Sequence, residues 1–185
     1  MHNLIYATLC IAALFLLPGC APLVVAAGAG AGYLVADQES RQKVDHFFQD
    51  LNKSIKKSTR RILGEQQTRK QIAHQPSAGF TLTIQQDTLT PTSVLPGERI
   101  NLRVQYAIMG APAAGIRISK QQTLFFAGKQ VTVINKESTT RTNGTWENTL
   151  AFAVPKSAQP GTYTVKQEIS AQGKTRSTQR TFTVR

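Results

Sequence analysis

From Phe80 onward the apolar side chains recur at every second position. Phe80, Leu82 and Ile84 alternate with Thr and Gln, and Ile100, Leu102, Val104, Tyr106 and Ile108 alternate mostly with polar residues. The same pattern returns in Leu150, Phe152 and Val154, in Tyr163, Val165 and Ile169, and in Phe182 and Val184. A period of two places successive side chains on opposite faces of an extended chain, so these stretches are half-buried strands and not helices. Turn signals separate them: Leu95-Pro96-Gly97-Glu98, Gly110-Ala111-Pro112, Ala127-Gly128-Lys129, Thr142-Asn143-Gly144, Gln159-Pro160-Gly161 and Gln172-Gly173-Lys174. The expected strands are 79–86, 98–107, 116–126, 129–138, 145–154, 161–170 and 175–184. Short antiparallel strands at this spacing predict a β-sandwich over residues 79–185.

The run Pro160-Gly161-Thr162-Tyr163-Thr164-Val165, followed by a last strand closing on Phe182-Thr183-Val184, resembles the final hairpin of immunoglobulin-like bacterial domains. That resemblance implies an immunoglobulin-like antiparallel β-sandwich, with Tyr163 either a corner tyrosine whose hydroxyl is tied back to the backbone or an ordinary core tyrosine. The immunoglobulin-type cysteine pair is absent, and Trp146 does not sit between such cysteines.

Upstream the period changes. Val44, Phe47, Phe48, Leu51, Ile55 and Ile62 follow a spacing near 3.6, with Lys53, Lys56, Lys57, Arg60 and Arg61 on the opposite face. This predicts an amphipathic basic helix over 37–63, stopped by Gly64. Its apolar stripe has three ways to be covered: the C-terminal domain, another helix, or a membrane interface onto which the five cations face. Residues 64–78 are polar and read as a linker ending in Pro76-Ser77-Ala78-Gly79.

At the N-terminus, residues 3–17 are uncharged and mainly apolar, the length of a signal-peptide core and short for a membrane span. Leu17-Pro18-Gly19-Cys20 resembles a bacterial lipobox, which implies a signal over 1–19, lipidation of Cys20 and a mature chain beginning there. The alternative is an uncleaved anchor, a hairpin broken at Pro18 and Pro22. Residues 20–36 form a Gly/Ala-rich segment in which Gly28 and Gly32 are four apart, a spacing that lets helices approach closely in lipid or else serves as a flexible tether. Gly-Cys followed by Val-Val-Ala-Ala-Gly-Ala-Gly-Ala-Gly-Tyr looks like the start of several families of Gram-negative envelope lipoproteins. Ala21 after the cysteine implies no inner-membrane retention, so the resemblance implies lipid attachment to the outer membrane with the domain in the periplasm.

The net charge of +12 lies outside residues 1–19, which contain no Lys, Arg, Asp or Glu. For an exported chain the available polyanions are lipid head groups and acidic envelope polymers, and nucleic acid is not expected because no RNA-binding signature, zinc-finger spacing or basic-aromatic series is present. His2, His46 and His74 fall outside the strands, and the domain's acids Asp87, Glu98, Glu137, Glu147 and Glu168 are scattered singly. No catalytic residue, metal ligand or cofactor motif is legible, so the expectation is a non-enzymatic, membrane-anchored protein that binds or scaffolds through its sandwich, with a protein partner or homo-oligomer among its assemblies. The alternative is a membrane-associated oligomer built on the Gly-rich segment and the helix.

Overall fold

The computed structural model describes residues 38–185. Helix α1 (Gln38–Ser54) leads into strand β1 (Lys56–Leu63), helix α2 (Glu65–Gln71) and a 3-10 turn at Pro76–Ala78. Eight strands follow: β2 (Thr81–Thr90), β3 (Ser93–Val94), β4 (Arg99–Met109), β5 (Ile116–Phe126), β6 (Lys129–Arg141), β7 (Gly144–Ala153), β8 (Gly161–Ala171) and β9 (Lys174–Val184). They form a four-stranded sheet ordered β1-β7-β4-β2 and a five-stranded sheet ordered β3-β9-β8-β5-β6. Pairing is antiparallel throughout except for the short β3 along β9. The seven expected strands are all present within a few residues of their expected bounds, and β1 and β3 are additional.

The alternation explains how the sheets meet. Even-numbered residues of β4 from Ile100 to Ile108 are buried, and their partners on β7 and β2 carry the same face inward. Two apolar clusters result. One gathers Leu89, Ile100, Leu102, Leu124, Leu150, Phe152, Tyr163, Val165 and Phe182 from both sheets, and the other gathers Leu82, Val104, Ile108, Ile116, Ile118 and Ile169. Phe182 stacks on Tyr163 at 5.3 Å and meets Phe152 of the opposite sheet at 6.2 Å, as face-to-face packing requires. The Tyr163 hydroxyl donates to the carbonyl of Gln159 at 3.1 Å, so this buried tyrosine is tied back to the backbone four residues upstream.

Residues 37–63 are not one helix. α1 stops at Ser54, whose hydroxyl donates to Leu51 O at 2.7 Å and accepts from Ala153 N at 2.9 Å. The chain then turns extended, because β1 pairs Lys56 to Ala151 through Leu63 to Thr145 and so satisfies the edge of β7. Gly144 permits the close approach: a Cβ there would lie 2.8 Å from Leu63 O, at φ +146. Leu51 is fully buried in the first cluster, with Phe47, Phe48 and Ile55 packed against it, so the described part of the apolar stripe is covered by the sheets. Residues 64–78 are likewise not a plain linker. Thr68 of α2 is buried, its Oγ1 3.0 Å from Thr145 Oγ1, and His74 Nδ1 lies 3.2 Å from Thr81 Oγ1.

Candidate functional site

The two apolar clusters are separated by a belt of polar side chains at the waist of the sandwich. Reading along each strand shows why. On β5 the inward positions run Ile116, Ile118, Lys120, Gln122 and Leu124; on β8, Val165, Gln167 and Ile169; on β7, Trp146, Asn148 and Leu150. Buried polar groups are tolerated when each finds a partner, and here they bond to one another. At the β2/β9 side Asp87 takes Arg180 Nε at 3.2 Å, the Thr178 hydroxyl, and Gln167 Nε2 at 2.7 Å. The chain continues through Gln122 Nε2 to Gln167 Oε1 at 3.5 Å and Asn135 Nδ2 to Gln122 Oε1 at 2.8 Å. It reaches the β1/β6 side where Lys57 Nζ donates to Asn135 Oδ1 at 3.2 Å and lies 3.4 Å from Glu137 Oε2.

Lys120 is fully buried beside this end. Its ammonium has three protons and three acceptors: Glu137 Oε1 at 2.6 Å, Asn148 Oδ1 at 2.8 Å and Thr59 Oγ1 at 3.0 Å. Burial pulls its pKa below the usual lysine value, opposed by the Glu137 carboxylate. Burial works to raise Glu137, but the hydrogen bonds and charges of Lys120 and Lys57 outweigh it and hold the carboxyl below its ordinary value. Tyr106, also in the core, has a hydroxyl with no hydrogen-bond partner, and burial pushes it up to about 12 against the pull of the Arg141 guanidinium. Arg141 itself stands over the Trp146 ring at 4.7 Å.

β1 places the cations expected on one helical face. Lys53 lies in the last turn of α1, and the other four are on the strand. Lys57 and Arg61 pair with Leu150 and Trp146 and so take the inner face at the edge; Lys56 and Arg60 take the outer face. Arg60 Nη2 reaches Glu147 Oε1 at 2.7 Å, and Gln105 Nε2 holds Glu147 Oε2 at 3.0 Å with Arg103 at 3.8 Å. These contacts, led by the Arg60 hydrogen bond and opposed by burial, keep the Glu147 carboxyl low. Arg61 donates to the Asn143 carbonyl. Cys20, Gly28 and Gly32, with the signal and anchor expected around them, lie outside the described residues.

The belt residues Lys120, Gln122, Asn135, Glu137, Asn148 and Gln167 were missed as a group in the sequence. One signal could have found them: Lys120 and Gln122 fall in the core phase of a strand otherwise marked by Ile116, Ile118 and Leu124. Among the described residues no three His, Cys, Asp or Glu side chains gather to hold a metal ion, and no helix is long and apolar enough to cross a membrane. A cleft of about 710 Å³ along α2, lined by Gly64, Glu65, Gln66, Gln67 and Arg69, holds an Arg69–Glu65 ion pair at 2.8 Å.

No family model matches the sequence, and no curated protein is similar to it. Solved structures similar to this chain include an alkylpurine DNA glycosylase from Pseudomonas fluorescens bound to DNA containing an abasic site analog. It is 14% identical, with 63% of this chain and 36% of that chain covered at a TM-score of 0.38. A family 123 glycoside hydrolase from Clostridium perfringens is 10% identical over 71% of this chain and 27% of that one, TM-score 0.40. A β-glucosidase from Erythrobacter marinus is 8% identical over 57% and 16%, TM-score 0.42. This chain thus spans about a third or less of each. The expectation of a non-enzymatic protein is corrected by them: these neighbours are enzymes, so a lack of legible motifs does not exclude catalysis. At these TM-scores they carry no argument for any particular activity.

Proposed function

We propose that the chain is a lipoprotein of the bacterial outer membrane, attached through Cys20, whose two sheets form an immunoglobulin-like sandwich that binds or scaffolds a partner in the periplasm. The observation that carries this reading is the position of β1. The segment bearing Leu17-Pro18-Gly19-Cys20 leads through α1 directly into a cationic strand at a sheet edge, so attachment and a binding surface follow one another along the chain. Sandwiches commonly bind through such edges and through their loops. The tie from the Tyr163 hydroxyl to Gln159 O supports the immunoglobulin-like form, since a tyrosine in that role bonds back to the backbone a few residues upstream.

The test is the intact mass and membrane fractionation of the native protein beside a Cys20→Ala variant. The expected result is a mature N-terminus at Cys20 with added acyl mass, lost together with membrane attachment in the variant. An uncleaved protein that stays in the membrane with Ala at position 20 would overturn the lipoprotein reading.

A further inference from the structure

We infer that β1 is a docking edge for an extended acidic segment of a partner protein, taken up by strand addition. This deepens the binding role proposed above and does not depend on the lipid anchor.

β1 pairs with β7 alone, so half of its N–H and C=O groups point away from the sheet. Other edges are less open. On β2, at the far side of the same sheet, Arg180 Nη2 occupies the Asp87 carbonyl at 2.8 Å. β6 is broken by two register shifts, and β3 has only two residues. β1 contains no proline and one irregularity, between Arg61 and Leu63, leaving Lys56 to Arg61 regular.

What protects β1 is charge. Lys56, Lys57, Arg60 and Arg61 are all exposed, on both faces of the strand. A second copy adding antiparallel would set these cations against their counterparts, and like charges directly opposite are destabilising. A strand with acids at alternating positions meets the opposite field and fills the free backbone ladder as well. The edge is also held in place before any partner arrives, because Lys57 and Thr59 are tied into the belt by Asn135, Glu137, Lys120 and Asn148. Little ordering then remains to oppose binding.

The full chain in detergent micelles is titrated with a labelled eight-residue peptide of alternating Glu and Val, followed by anisotropy and by hydrogen exchange. Two further peptides separate the contributions: the same peptide with Pro at two central positions, which keeps the charge but cannot complete the ladder, and an alternating Lys and Val peptide. The expected result is binding of the acidic peptide with new protection over Lys56–Leu63. The proline peptide is expected to bind at least tenfold more weakly, the basic one not to bind, and Lys56→Glu to weaken the acidic peptide at least threefold. Equal affinity for the proline peptide would mean a general polyanion surface, and protection elsewhere or no binding would equally overturn the inference. Repeating the titration on Cys20→Ala keeps the two readings apart: lost attachment with unchanged peptide affinity is expected, and loss of peptide affinity in the native chain falls on this inference alone.

Discussion

Tyr106 and Lys120 are both fully buried, yet their polar atoms are in opposite situations. The Tyr106 hydroxyl closes no hydrogen bond of ordinary geometry, the Arg141 guanidinium standing near it without completing one, so Tyr106→Phe removes an unmet polar group and is expected to be neutral or to stabilise by about 1 kcal/mol in urea unfolding. Its pKa also predicts a pH effect. An acid raised from 10.0 to about 12 on folding contributes stability that is complete below pH 10 and lost as pH climbs through 12. Tyr106→Phe should therefore flatten the alkaline limb of the stability curve, leaving the smaller part due to Tyr163, which burial also raises. Lys120 instead satisfies three acceptors. Lys120→Met leaves Asn148 and the inner oxygen of Glu137 without their cation, at an expected cost of about 3 kcal/mol. The double variant Lys120→Met/Glu137→Leu should recover part of that loss, because removing both partners leaves fewer orphaned groups than removing one. A double variant less stable than the single would show that the pair is not the main term.

At the scale of elements, α1 and β1 divide the work that a single helix was expected to do. Leu51 is buried among Phe152, Val154 and their neighbours, so Leu51→Ala should cost about 2–5 kcal/mol in chemical denaturation, while Lys53→Ala, exposed on the far side, should change it by less than about 0.5. A stripe spent instead on a membrane would leave Leu51→Ala near neutral in detergent-free unfolding of the folded domain. The seven principal strands were legible because each carries its own apolar alternation and is bounded by Gly, Pro or Asn. β1 was not, for a physical reason: its inward-phase side chains are Lys57, Thr59 and Arg61, polar groups at the sheet edge that are held by partners about 80 residues away in sequence. Ile55 and Ile62 also stand seven apart, which fits a helical stripe as well as it fits a helix end and a strand end. Local spacing cannot tell these apart; the unpaired edge of β7 decides it. The belt was hidden by the same non-locality, since Asp87, Gln167, Gln122 and Asn135 each look like surface residues until the sheets face one another.

For the molecule as a whole, the carboxylates that bind β1 to the rest of the sandwich set its behaviour in acid. Glu137 and Glu147 both have folded pKa values below the ordinary 4.5, the first held down by Lys120 and Lys57 against its burial, the second chiefly by Arg60. A depressed acid contributes stability that is fully present above its unfolded pKa and disappears as pH falls through the folded value, because below it the folded state gains no advantage from the charge. Lys120 acts at the other end: its lowered pKa means the unfolded chain binds more protons on the way up to 10.5, so its contribution rises with pH there. The urea midpoint should thus be nearly level around neutrality and decline below about pH 4.5, where protonation also leaves the excess of cations unopposed. Glu137→Gln and Glu147→Gln should each be less stable than the native chain at pH 7 and lose less on acidification, their curves converging with the native one as pH falls through the lowered carboxyl pKa values. Since both glutamates join β1 to its neighbours through Lys57 and Arg60, hydrogen exchange at low pH should open Lys56–Leu63 before β4 or β8. Parallel acid limbs in the native and variant proteins would show that the acid loss arises from general charge repulsion and not from these pairs.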